Sequence, residues 1–342
     1  MKIHAFNMKL VSYLNRDNNI PLGLGYGKMG LCIYFNFLAR HKYNLLYQET
    51  ADKLIDEIIN NVNCIKSVDI VSGLGGIGLG MHYLIKHRYL SGNTNYIFSD
   101  IDSVLFRLLS NKHDNDLSNP SLLIQGLYYF CYRLKEVQYS NENKKIFQGI
   151  VIQLANVLEK KIDQTIISEN TLCYNCLNYQ LPQILFVYNF IHSLNFYNYR
   201  IDKILEFIIN STCGIIPQLN CNKLWLLWAL TEVNQHLSNE RCTKYIKILK
   251  NDIDLNYILN NELKDKNIFF HNGLTSIYLV FHFLNNYYSS YEIINFKNRI
   301  RSRIVNSTIW NEASCINDNS FDHNHIGLLN GLCGTILTLY NI

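Results

Sequence analysis

Two kinds of hydrophobic pattern alternate along this chain. In the first, a glycine-centred turn leads into an apolar run: Gly27-x-x-Gly30 opens the run that reaches Leu38, Gly73-x-x-Gly76 the run to Leu84, Gly126 the run to Leu134, and Gly273-x-x-Ser276 the run to Leu284. In each of these the last-named residue stands eight positions beyond the last turn residue, and Gly331-Leu332-Cys333-Gly334-Thr335-Ile336 begins another copy near the end of the chain. Two weaker copies, around Pro182-Gln183-Ile184 and Leu226-Leu227, bring the number to seven, recurring every roughly 43 to 58 residues, a period that fits two helices and two loops. The second pattern is amphipathic. Asn44 to Asn60 and Asn143 to Lys161 carry Leu, Ile and Val at three- and four-residue spacing with Lys, Glu and Asn between them.

Apolar inner helices alternating with amphipathic outer ones predict an all-α fold, an α/α toroid of about seven helical hairpins in which the last hairpin packs on the first. A small residue at each inner start allows a tight turn and leaves the first-turn N–H groups ready to meet a ligand. The predicted starts lie near Gly30, Gly76, Gly126, Gln183, Leu226, Ser276 and Gly334, all on one face. No Pro/Gly/Ser linker interrupts the repeat, so residues 1–342 read as one domain.

Composition narrows the class. Hydrophobic residues make up 48% and charged ones 17%, with only four prolines, enough apolar surface for a large helical core. The net charge of +4 comes from Lys and Arg spread along the outer helices, which argues against a nucleic-acid stripe or a polybasic membrane patch. No apolar run approaches the ~18 residues of a membrane span, and Met1 to Asn7 lacks the apolar core of a secretory signal, so the expected location is the cytoplasm. The ten cysteines should stay reduced there; Cys32, Cys131 and Cys333 fall on apolar faces and read as core, as does His82. Gly73-x-Gly75-Gly76-x-Gly78 lacks both the Gly-Lys-Ser/Thr ending and the βαβ setting of a nucleotide loop. Asp100-Ile101-Asp102 and Asp252-Ile253-Asp254 lie on charged segments and read as solvated helix ends.

The phrases Ser72-Gly73-Leu74-Gly75-Gly76-Ile77-Gly78, His271-Asn272-Gly273-Leu274-Thr275-Ser276-Ile277 and Gly327-Leu328-Leu329-Asn330-Gly331-Leu332-Cys333-Gly334 resemble the inner-helix starts of the lanthionine synthetase C-like family. The resemblance runs from Gly27 to Ile342 and is most specific in the terminal phrase. It implies an α/α toroid with a central zinc ion and a ribosomally made precursor peptide as substrate, with a dehydratase as a further partner. In that family zinc holds a peptide Cys as thiolate, which adds to a dehydroalanine or dehydrobutyrine of the same peptide to close a thioether ring. Zinc suits this work because it takes soft sulfur, lowers the thiol pKa and keeps one position open beside three protein ligands.

Carried over residue by residue, the resemblance places Cys221 of Leu219-Asn220-Cys221-Asn222-Lys223 at the first zinc cysteine. Setting Gly273 on the motif glycine puts His271 at the second cysteine and Asn272 at the ligand histidine. Neutral His is a good zinc ligand and Asn a poor one. The His-Gly-x-Pro-Gly phrase of the fourth inner helix appears as Tyr179-Gln180-Leu181-Pro182-Gln183, so Tyr179 stands at the proton-handling position. An expected Arg is missing, with Lys223 the nearest cation. Cys173-x-x-Cys176 and His323-x-His325, which precede the fourth and seventh inner helices, offer Cys176 and His325 as alternative ligands. Three functions follow: a zinc-assisted cyclase of lanthipeptide biosynthesis; a degenerate, non-catalytic homologue that binds precursor peptide or scaffolds partner enzymes; or, on fold grounds alone, an α/α-barrel enzyme acting on carbohydrate.

Overall fold

The computed structural model describes residues 2–16, 20–92, 94–110, 119–135, 141–168, 172–315 and 325–341. The chain opens with α1 (Lys2–Leu14), followed by α2 (Lys28–Lys42), α3 (Leu45–Asn61), α4 (Leu74–Lys86) and α5 (Thr94–Ser110). Next come α6 (Pro120–Lys135), α7 (Asn141–Glu159), the short α8 (Gln164–Ile167), α9 (Gln180–Ser193) and α10 (Asn198–Thr212). After α11 (Asn220–Leu237) and α12 (Glu240–Asp252), a one-turn α13 (Leu255–Tyr257) runs into a π turn (Ile258–Glu262). The chain closes with α14 (Leu274–Phe283), α15 (Ser290–Asn306), α16 (Ile309–Cys315) and α17 (Leu332–Asn341). Among the described residues there is no strand, and no helix is long and apolar enough to cross a membrane.

Each of the seven apolar runs is a helix: α2, α4, α6, α9, α11, α14 and α17. In α2 every residue from Lys28 to Ala39 is buried, the signature of a helix packed on all sides. The amphipathic helices bury one stripe each, as α12 does through Cys242, Tyr245, Ile246 and Leu249. Cys32, Cys131, Cys333 and His82 are buried, as their apolar settings predict. Packing divides the chain into two compact units. One comprises Met1–Leu105, Asp265–His282 and Ser289–Ile342; the other comprises Phe106–Lys264 and Phe283–Tyr288.

In the first unit a single device starts α2, α4, α14 and α17. The preceding loop doubles back so that a carbonyl accepts an N–H seven residues later: Lys28 donates to Pro21 (2.7 Å), Leu74 to Ser67 (2.9 Å), Leu274 to Asn267 (2.8 Å) and Gly334 to Gly327 (3.3 Å). These bonds satisfy amides that a helix start otherwise leaves orphaned. They also press a carbonyl six residues back onto the α-carbon of the turn residue, so that a Cβ on Gly76 would collide with Ile70 O and one on Gly334 with Leu328 O. The glycines therefore serve close approach, since the helix-start residues Gly27 (φ −133°) and Gly73 (φ −102°) are extended. The expectation that first-turn N–H groups wait for a ligand is corrected at these amides, which the loop already occupies.

The second unit starts its helices by other means. Asn119 caps α6, accepting from Ser121 N at 2.9 Å, with Pro120 as the first helical residue. At α9 the Gln183 side chain reaches back to the carbonyls of Cys176 and Leu177, both at 2.8 Å. Two predicted starts shift accordingly: Gly126 and Leu226 each lie six residues inside their helices, because polar caps let α6 and α11 begin earlier than their apolar runs.

Candidate functional site

Cys221 sits in the first turn of α11, fully buried. That turn is held by Glu262, at the end of the π turn. Its Oε1 accepts from Asn220 N (2.6 Å) and Asn220 Nδ2 (2.9 Å), and its Oε2 accepts from Cys221 N (2.9 Å). A carboxylate at a helix N-terminus answers both the orphan amides and the positive end of the helix dipole. The Cys221 thiol is hydrogen-bonded to the same carboxylate, and its pKa lies well above the usual thiol range, through burial first and the Glu262 charge second. Lys223, two residues on, is buried and paired with Asp252 at 2.7 Å. Its Nζ also approaches Asn220 Oδ1 and Asp252 O, both at 3.4 Å, while Asp254 N donates to Asn220 Oδ1 at 2.9 Å. The acidic pair of the sequence thus divides its work: Asp252 neutralises Lys223, and Asp254 caps α13.

Tyr179 is the residue preceding α9 and is buried; its carbonyl accepts from Gln183 Nε2 at 3.2 Å. Of the Cys173-x-x-Cys176 pair, Cys173 is exposed and Cys176 buried, and both are free thiols. Burial pushes the Cys176 thiol up to about 12. Tyr174, which assists Cys176, also receives the Trp225 indole N–H. Trp225, Trp228 and Phe186 pack together one turn beyond Cys221, with Trp228 stacked on Phe283 at 4.5 Å.

His271, Asn272 and His325 belong to the first unit. His271 is half-buried: its N–H donates to Leu329 O at 2.9 Å, and its Nδ1 lies 3.2 Å from the same carbonyl. Only a protonated Nδ1 can donate to that carbonyl, which in the neutral ring puts the lone pair on Nε2. Burial lowers the pKa, so the ring is neutral at pH 7. Asn272 Oδ1 is buried and no described donor reaches it. His325 stacks on Phe269, ring centroids 5.2 Å apart, and His323 lies outside the described residues.

A zinc site needs three good donors converging on one point. His271 has one feature of a zinc-binding imidazole, its Nδ1 held on a backbone carbonyl. The rest of the set does not match: Cys221 gives its thiol to a carboxylate, Asn272 supplies an amide, and among the described residues no three of His, Cys, Asp and Glu gather closely enough to hold a metal. These residues do not fit a three-ligand zinc centre. Glu262, which no motif marks, is the residue that the sequence reading lacked.

A buried, neutral Cys221 should resist thiol reagents. Brief iodoacetamide treatment of the native protein at pH 7.5, read by peptide mass spectrometry, is expected to label the exposed Cys64 and Cys173 and spare Cys221. Labelling of Cys221 as fast as Cys173 would overturn this description of the α11 start.

Compared with solved structures, the chain matches nisin cyclase with a TM-score of 0.69 and 15% sequence identity, over 97% of this chain and 92% of that chain. The likeness shows the fold, an all-α toroid of the lanthionine synthetase C-like type, as the glycine phrases anticipate. No protein-family model matches the sequence, and no curated protein matches it.

Proposed function

We propose that this chain serves the modification of a ribosomally made peptide, as a degenerate lanthionine synthetase C-like protein that binds the precursor in the cytoplasm and closes thioether rings poorly or not at all. The fold likeness to nisin cyclase supports the peptide partner. The observation that carries the loss of catalysis is the Glu262 carboxylate on Cys221: it occupies the thiol and stabilises the protonated form, where cyclase chemistry needs a site that favours thiolate. Asn272 in place of a ligand His points the same way, as does Tyr179 in place of the proton-handling His. A dehydratase acting on the same peptide is the expected partner enzyme.

A second reading, an active cyclase, is favoured by Cys221 at the start of α11 and by the Nδ1 of His271 held on the Leu329 carbonyl. One experiment decides between them. Ring closure adds a peptide S–H across a dehydroalanine double bond, sulfur bonding to the β-carbon and the proton going to the α-carbon, so mass is conserved and only the free thiol disappears. The purified protein is expected to bind a dehydrated Cys-containing precursor, to carry well under one zinc per chain, and to leave the alkylatable thiol count unchanged. Rapid zinc-dependent thiol loss, abolished by Cys221→Ala, would establish the cyclase instead.

A further inference from the structure

Two hollows lie in the first unit, formed by the start of α1, the α2–α3 turn and the end of α17. A cavity of about 630 Å³, within the range of ligand sites, is lined by Lys2, His4, Lys42, Trp310 and Tyr340 among others and, among the described residues, by no acidic one. A second hollow of about 400 Å³ takes in Arg40, Arg88 and Tyr89, and its described lining is likewise free of acidic residues. Asn44 lines both, so the two hollows adjoin across the turn Tyr43-Asn44-Leu45. Four cations separated by up to 86 positions in sequence, Lys2 to Arg88, thus line one adjoining pair of hollows.

The ridge between the hollows is apolar and exposed: Tyr43 is 94% and Leu45 79% accessible. Tyr43 also holds φ +48°, ψ +46°, the left-handed conformation that glycine or asparagine normally supplies at a helix C-terminus. A bulky aromatic in that conformation, with its ring in solvent, gains nothing from the packing of the isolated chain.

We propose that this face binds an acidic segment of the precursor peptide in extended form, its apolar side chains seated in the two hollows and its carboxylates meeting Lys2, Lys42 and Arg88. Two hollows on either side of a ridge suit a strand that crosses it, whereas a compact anion would fill only one. The cations Lys2, Lys42 and Arg88, with no acidic residue in the described lining, give the charge complementarity that steers an acidic chain. That the segment belongs to the precursor rests on the function proposed above; the acidic-peptide surface itself does not.

The test is fluorescence anisotropy with a labelled nonapeptide of alternating Glu and Leu, alongside the full precursor. The nonapeptide should bind, weaken steeply between low and high salt, and lose about tenfold in affinity in Lys2→Gln/Lys42→Gln. Tyr43→Gly should weaken binding while leaving the melting temperature unchanged or higher, because glycine relieves the left-handed backbone; this separates recognition from folding. Equal binding of a Lys/Leu nonapeptide, affinity insensitive to all three substitutions, or the same residues capturing phosphatidylglycerol vesicles in preference to peptide would each overturn the proposal. Precursor bound by the wild type and unaffected by the substitutions also overturns it, and leaves the function standing. Nonapeptide bound and precursor ignored has the opposite meaning: the surface stands and the proposed function fails.

Discussion

Gly334→Ala is expected to destabilise the protein by about 3 kcal/mol, at the top of the range for overpacked positions. The added methyl would fall on the Leu328 carbonyl, a backbone atom that cannot swing aside as a side chain can. Relief requires the loop to lift off the first turn of α17, and lifting it breaks the bond from Gly334 N to Gly327 O. Gly149→Ala is the matched control: it lies within α7, and nothing is within 4 Å of its missing Cβ. That substitution should stabilise by about 0.5–1 kcal/mol through helix propensity alone. Urea unfolding midpoints at constant m-value give both numbers, and equal stability of Gly334→Ala and wild type would refute the close-approach account of the glycine phrase.

Glu262→Ala should cost about 3 kcal/mol as well, for a different reason. It withdraws a charged acceptor from three N–H donors and leaves the start of α11 without a cap. Glu262→Gln keeps an amide oxygen for part of that set and should lose roughly half as much. With the carboxylate gone, Cys221 should also label faster with iodoacetamide than in the wild type while burial still keeps it slower than the exposed Cys173, a change that a remote destabilisation matched in midpoint would not produce. An unchanged unfolding midpoint in Glu262→Ala would mean that α11 is capped by something other than this residue.

The seven apolar helices were legible because the device that starts four of them is local. The seven-residue bond presses a carbonyl six residues back onto a residue that must lack a Cβ, and that need is written as glycine at Gly30, Gly76 and Gly334. Sequence reading lost accuracy where capping passes to side chains. Asn119 and Glu262 leave no periodic trace, so the starts of α6 and α11 were placed six residues late. The candidate site follows the same rule. Cys221, His271 and Asn272 were identified by their offset from motif positions, but the state of Cys221 depends on a carboxylate 41 residues away. Lys223, chosen as the nearest cation, is committed to Asp252, a pairing that depends on how α11 and α12 meet. The cations of the second surface stand up to 86 positions apart, and only the folded chain brings them together.

The contrast between the two kinds of helix start also sets an order of assembly. A bond that closes seven residues can form within one loop and its helix, before any neighbour has docked. The start of α11 instead waits for Glu262, 41 and 42 residues downstream, and in a bare chain closing that span costs about 1.6 kcal/mol more loop entropy than closing seven. Only when α12 has folded back along α11 does the π turn bring the carboxylate home. The helix that carries Cys221 therefore completes its first turn late, and the residue on which the family's chemistry would depend is the last part of that helix to be secured.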